Sequence, residues 1–133
     1  MEDRYEVIVD KIGTKRYYKN GKYHREDGPA VIWYDGDNEW WLNNKRHRED
    51  GPAIELTNGY KAWFIDGERH RENGPAIEYE DGSRDWYLNG LLHRENNLPA
   101  IENIPFGNEW WVNGIRHREN GPAVEYKNRY KGW

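Results

Sequence analysis

The chain has 133 residues with 8 Trp and 10 Tyr, and 33% of it is charged. Disordered chains are poor in aromatics, so this composition predicts a folded chain that buries rings rather than aliphatics. Net charge is −4 with the two signs interleaved and no basic run, which argues against duplex nucleic acid as a partner.

Cysteine is absent, so neither disulfides nor a thiolate metal site are expected, and a cytoplasmic setting is the expectation. No segment approaches the ~18 apolar residues that a spanning helix needs. The N-terminus, Met1-Glu2-Asp3-Arg4, is acidic and has no apolar stretch, so no secretory signal is expected.

In chain order, residues 1–13 form an N-terminal cap in which Arg4-Tyr5-Glu6-Val7-Ile8-Val9 reads as a strand covering the first repeat. Tandem repeats come next, over 14–36, 37–59, 60–82, 83–107 and 108–129, and residues 130–133 open a sixth unit. His-Arg-Glu recurs at 24–26, 47–49, 70–72, 93–95 and 117–119, about 23 residues apart. Pro-Ala follows each time, and an aromatic pair precedes it: Tyr17-Tyr18, Trp40-Trp41, Trp63-Phe64, Trp86-Tyr87 and Trp110-Trp111.

Every unit carries Pro and Gly or Asn, so almost no helix is expected and short strands are predicted. In the third and fourth units, one strand is Pro75–Tyr79 and the next Arg84–Leu88, joined at Asp81-Gly82. Two-residue turns at Asp35-Gly36, Asn58-Gly59, Asp81-Gly82, Pro105-Phe106 and Asn128-Arg129 would pair Val31, Ile54, Ile77, Ile101 and Val124 with Trp40, Trp63, Trp86, Trp110 and Trp133. The only insertion is Asn96-Asn97-Leu98 in the fourth unit, readable as a tolerated indel or as a functional irregularity.

The predicted fold is an all-β, single-domain antiparallel β-meander repeat array of hairpins, a curved single-layer sheet of about eleven strands. Strand alternation places the Trp column and the aliphatics on a core face. The second face receives the Ala column, Glu55, Glu78, Glu102 and Glu125, and the rings Tyr18, Trp41, Phe64, Tyr87 and Trp111.

The stretches Trp41-Leu42-Asn43-Asn44-Lys45-Arg46-His47, Tyr87-Leu88-Asn89-Gly90-Leu91-Leu92-His93 and Trp111-Val112-Asn113-Gly114-Ile115-Arg116-His117 resemble the MORN repeat family. That family has one β-hairpin per unit and a period near 23. Its His is usually followed by Gly-x-Gly, where this chain has Arg-Glu-Asp-Gly-Pro-Ala, so the resemblance is to a variant. It implies a scaffold or a protein-interaction and dimerisation platform.

The five His-Arg-Glu strings invite a catalytic or metal-binding interpretation. Equivalent residues of successive hairpins lie about 9.5 Å apart, too far for two such histidines to share one metal. The expectation is instead that each His packs on its Trp while Arg and Glu pair. No metal, cofactor or catalytic residue is expected. The row Tyr18, Trp41, Phe64, Tyr87 and Trp111 is the expected binding surface, for a protein partner or a second copy, and packing of that row is the other open reading. An alternative function is binding or sequestering a small anionic ligand, with the rings stacking on it and Arg25, Arg48, Arg71, Arg94 and Arg118 holding its charge. A hydrolase that uses a His-Glu pair is a third possibility.

Overall fold

The computed structural model describes residues 5–128 and 130–133. Within them every regular element is a strand, twenty-one in all, most of two or three residues, arranged as antiparallel hairpins in open sheet. The chain divides into two compact units, Met1–Glu68 and Arg69–Trp133.

In the first unit the main ladder runs Tyr5–Val9, Lys15–Lys19, Val31–Ile32, Asn38–Glu39, Ile54–Glu55, Lys61–Ala62. Its first strand is the expected N-terminal one, paired along its length from Tyr5 opposite Lys19 to Val9 opposite Lys15. Arg4 lies outside the described residues. In the second unit the ladder runs Ile77–Glu78, Arg84–Asp85, Ile101–Asn103, Gly107–Glu109, Val124–Tyr126, Lys131–Gly132.

The register differs from the expectation by one residue at every hairpin. Ile77 faces Asp85, Ile54 faces Ala62, Val31 faces Glu39, Ile101 faces Glu109 and Val124 faces Gly132. The reason is the turn. Gly82 donates its N–H to Tyr79 O and Tyr79 donates to Ser83 O, closing a three-residue loop with Gly82 at φ +88°. That is a type I turn followed by a glycine bulge, which adds one residue to a two-residue loop and slides the partner strand by one. Trp33 and Gly36, and Leu56 and Gly59, repeat these bonds. At the expected Asn128-Arg129 turn, Tyr126 still donates to Tyr130 O, and Arg129 lies outside the described residues.

The slip explains the large number of strands. Each Trp now falls just past the ladder strand, at a junction. Trp86 donates its N–H to Ala100 O in the main ladder while its carbonyl accepts the N–H of His93. Trp40 and Trp110 divide their backbone groups in the same way. The chain therefore leaves the main sheet and forms a second, smaller hairpin: Trp41–Leu42 with Lys45–Arg46, Tyr87–Leu88 with Leu91–Leu92, and Trp111–Val112 with Ile115–Arg116. Its two-residue turns are left-handed, as at Asn89-Gly90 (φ +51° and +78°), a pattern that Asn-Gly favours.

Burial also departs from the two-face expectation. Ala30, Ala53, Ala76 and Ala100, placed on the open face, are wholly buried, and Ala62 with them. Ala123, Val31, Ile77 and Val124 are buried alongside. Of the Trp column only Trp110 is buried, and Trp133 is exposed. Alanine is suited to this position because its backbone donates and accepts across the ladder at close range, leaving little room for a larger side chain.

Candidate functional site

His-Arg-Glu supplies the polar residues on which an active site would be built, so the partners of each residue decide what the string can do. The histidine ring faces the next repeat. His24 Nδ1 accepts the backbone N–H of Asn43 (3.0 Å), and His47 that of Asp66 (2.9 Å). In the second unit His70 accepts from Asn89 (2.9 Å) and His93 from Asn113 (3.0 Å). Each donor sits at positive φ in the small-hairpin turn. On the other side, Nε2 faces the Glu two residues on, as in His24 to Glu26 at 3.2 Å. An imidazole that accepts at Nδ1 carries its proton on Nε2, so this pair fixes the tautomer.

The arginine, not the histidine, covers the aromatic column, which reverses the expected roles. The guanidinium of Arg48 lies 3.9 Å from the centre of the Trp40 ring, Arg94 3.7 Å from Trp86, Arg118 3.7 Å from Trp110 and Arg25 4.0 Å from Tyr17. One guanidinium nitrogen donates to the following proline carbonyl, for example Arg48 to Pro52 (3.0 Å) and Arg71 to Pro75 (3.0 Å). The same nitrogen reaches Glu55 from Arg48 (3.0 Å), Glu102 from Arg94 (3.0 Å) and Glu125 from Arg118 (2.7 Å). These arginines thus pair with the acid on the next strand rather than with the Glu beside them, and Arg25 and Arg48 also reach the Asp two residues on, Asp27 (3.0 Å) and Asp50 (3.1 Å).

This packing also accounts for the repeated glycine. A Cβ on Gly28, Gly51, Gly74 or Gly121 would come within 2.8–3.0 Å of the guanidinium carbon. The spacing Arg-x-x-Gly is the signal for it in the sequence. Arg94 keeps its ring contact and its proline bond although the fourth unit has Leu98 in place of that glycine. The inserted Asn97 bonds the backbone of Glu119 from both ends of its amide, and its carbonyl accepts the Trp110 indole N–H (3.1 Å). Within the second unit the insertion is thus a clasp onto the fifth repeat.

The five row residues sit in the small hairpins or beside them. In the first unit Tyr18 stacks on Tyr23 at 5.1 Å, Tyr23 meets Trp41 at 5.4 Å, and the Arg46 guanidinium bridges Trp41 (4.7 Å) and Phe64 (5.7 Å). The structure therefore brings Tyr18, Trp41 and Phe64 into one chain of contacts. Phe64 is buried, whereas Tyr18 and Trp41 are half-buried. In the second unit Tyr87 and Trp111 are half-buried, with Arg69 5.6 Å from Tyr87 and Arg116 5.2 Å from Trp111. Tyr18 titrates above the usual phenol range, chiefly because of burial and then its bond with Tyr23.

Carboxylates beside the row have internal partners. Glu39 accepts the Trp33 indole N–H (2.7 Å) and two Arg46 bonds. Glu109 accepts the Trp111 indole N–H (3.1 Å) and the Tyr126 hydroxyl (3.0 Å). That carboxylate holds the Tyr126 phenol above its ordinary pKa. Asp85 accepts the Tyr79 hydroxyl (2.8 Å), and burial pushes its carboxyl above the usual carboxylate range.

Concave surface recurs between successive loops. In the first unit a groove of about 640 Å³ runs between Arg25–Gly28 and His47–Asp50, with Trp40 and Leu42 in its wall. In the second unit a groove of about 770 Å³ lies between His70–Pro75 and His93–Asn96, against Trp86 and Leu88. Each unit has its own copy of this groove, lined by the His-Arg-Glu loops. No family model matches the chain, and no curated protein matches it. No helix among the described residues is long and apolar enough to cross a membrane.

Proposed function

We propose that the chain is a non-catalytic interaction module of the MORN-like repeat kind, which binds a protein partner or a second copy of itself through Tyr18 and Trp41 of the first unit, with Phe64 buried near them, and through Tyr87 and Trp111 of the second. One observation carries this reading. The groups in His-Arg-Glu that would do chemistry are spent on joining one repeat to the next, while four of the row's rings keep part of their surface open. Aromatic rings held by arginine and ringed by polar groups are what interaction hot spots are made of. The carboxylate Glu109 supports it indirectly, because it anchors the indole of Trp111.

A small anionic ligand is the weaker alternative, since the arginines it would need already stack on rings and donate to proline carbonyls. The absence of cysteine suits a reducing compartment, and the cytoplasm is the proposed location. The test is the double substitution Trp41→Ala with Trp111→Ala. Far-UV circular dichroism should be retained, while capture of partner by the immobilised chain, competed by the free chain, should be lost. Unchanged capture by the folded variant would show that the contact surface lies elsewhere.

A further inference from the structure

The N-terminal strand of the first unit, Tyr5–Val9, has a ladder partner on one side only among the described residues. The direction of its outward backbone groups follows from the neighbouring strand. Tyr17 donates its N–H to Ala30 O (2.7 Å), and its carbonyl accepts the N–H of His24 (3.1 Å). Both groups turn away from Val7, its register partner. In an antiparallel ladder such a pair is the non-hydrogen-bonded kind, so Val7 turns its own N–H and C=O away from Tyr17. Tyr5 and Val9 share that phase, because the period is two. All three residues therefore point donors and acceptors to the open side.

The side chains match this backbone. Tyr5, Val7, Ile8 and Val9 are between 45% and 60% exposed. Natural edge strands are usually blunted by lysine, proline, a bulge or short length. This one is five residues long, contains neither Lys nor Pro, and has an unbroken register.

We infer that Tyr5–Val9 is a self-association edge, pairing antiparallel with the same strand of a second copy about a two-fold axis at Val7. That register sets Val7 against itself, Tyr5 against Val9 and Glu6 against Ile8, so no like charges meet and the aromatic faces a β-branched residue. It forms about six backbone hydrogen bonds, because Tyr5, Val7 and Val9 are all in the outward phase. Centring the pair on Ile8 instead would keep the backbone phase but oppose Glu6 to Asp10 twice, so the like charges favour the register centred on Val7. A single five-residue strand buries less than the standard interface, so the dimer is weak and reversible.

Sedimentation velocity of the full chain from about 10 μM to about 1 mM should show a monomer–dimer equilibrium with Kd on the order of 0.1 mM. Val7→Pro removes only an outward N–H, at an edge where proline is tolerated, and leaves the inward bonds of Glu6 and Ile8 in place. It should weaken association at least about tenfold with the circular dichroism unchanged. Val7→Lys sets two like charges at the axis and should do the same. In this cysteine-free chain Val7→Cys should oxidise to a disulfide-linked dimer, because Cα atoms about 5.5 Å apart can be bridged. Glu6→Cys, which faces Ile8, should form that dimer far less. A chain that stays monomeric throughout the range overturns the inference. So does wild-type association in Val7→Lys, which also decides the matter if Val7→Pro loses its fold. The inference stands apart from the aromatic row: Trp41→Ala with Trp111→Ala should leave this dimer intact. Loss of the dimer in that variant, with Val7→Pro unaffected, would assign self-association to the row instead.

Discussion

Gly107 offers the sharpest test of the packing. It sits at φ +133° in Gly107–Glu109, between Asn103 on one side and Tyr126 on the other. A Cβ there would lie 2.2 Å from Glu125 O and 2.7 Å from Tyr126 Cα, both backbone atoms that cannot rotate away. Relief requires the two strands to part by about 1 Å, since ordinary contact lies near 3.5 Å. The cost of Gly107→Ala has three parts. A side chain at positive φ costs about 1–2 kcal/mol, overpacking about 1–3 kcal/mol, and one or two weakened ladder bonds about 1 kcal/mol each. Together these come to roughly 3–7 kcal/mol, a large part of the 5–15 kcal/mol that holds a typical domain. Gly21 is the control, at φ +74° with nothing within 4 Å of its Cβ, so Gly21→Ala should cost only the backbone part, about 1–2 kcal/mol. Urea unfolding followed by tryptophan fluorescence measures both. A difference between the two variants of less than about 1 kcal/mol would refute the close approach of the two strands.

Three further outcomes are expected from the repeat contacts. His47→Ala should cost about 1 kcal/mol and remove hydrogen-exchange protection at the Asp66 amide, whereas the amide of Asn43, held by His24, stays protected. Arg48→Lys keeps the charge but loses the planar stack on Trp40 and the paired bonds to Pro52 and Glu55, and should cost about 1–2 kcal/mol in the same urea assay. Burial raises the Asp85 pKa above 3.8, so the contribution of Asp85 to stability is fully present below 3.8 and is lost as pH rises through the folded value. The urea midpoint of Asp85→Asn should accordingly gain on wild type across that window and coincide with it below. A wild-type advantage that grows with pH would mean that the charged form is the stabilised one.

How far the sequence can be read depends on the range of the interaction. The period, the absence of helix and the N-terminal strand are local consequences of breakers, β-branched residues and aromatics, and all are legible in the residues alone. The Asn-Gly turns of the small hairpins are equally legible as a motif, yet they read as the loop after a long strand, because Trp86-Tyr87-Leu88 follows Arg84-Asp85 with no Gly, Pro or Asn between them. Only the fold shows Trp86 dividing its backbone groups between two sheets. Register is decided by one residue in the turn, the bulged Gly82, and alternation carries that single step into the expected faces. The roles within His-Arg-Glu are beyond the sequence for a different reason. His47 and Arg48 are adjacent in the chain, but their partners, Asp66 and Trp40, lie nineteen residues ahead and eight behind. Composition and period specify that such residues recur. Which ring an arginine covers, and which amide a histidine accepts, is set by distances between strands that exist only once the repeats have packed.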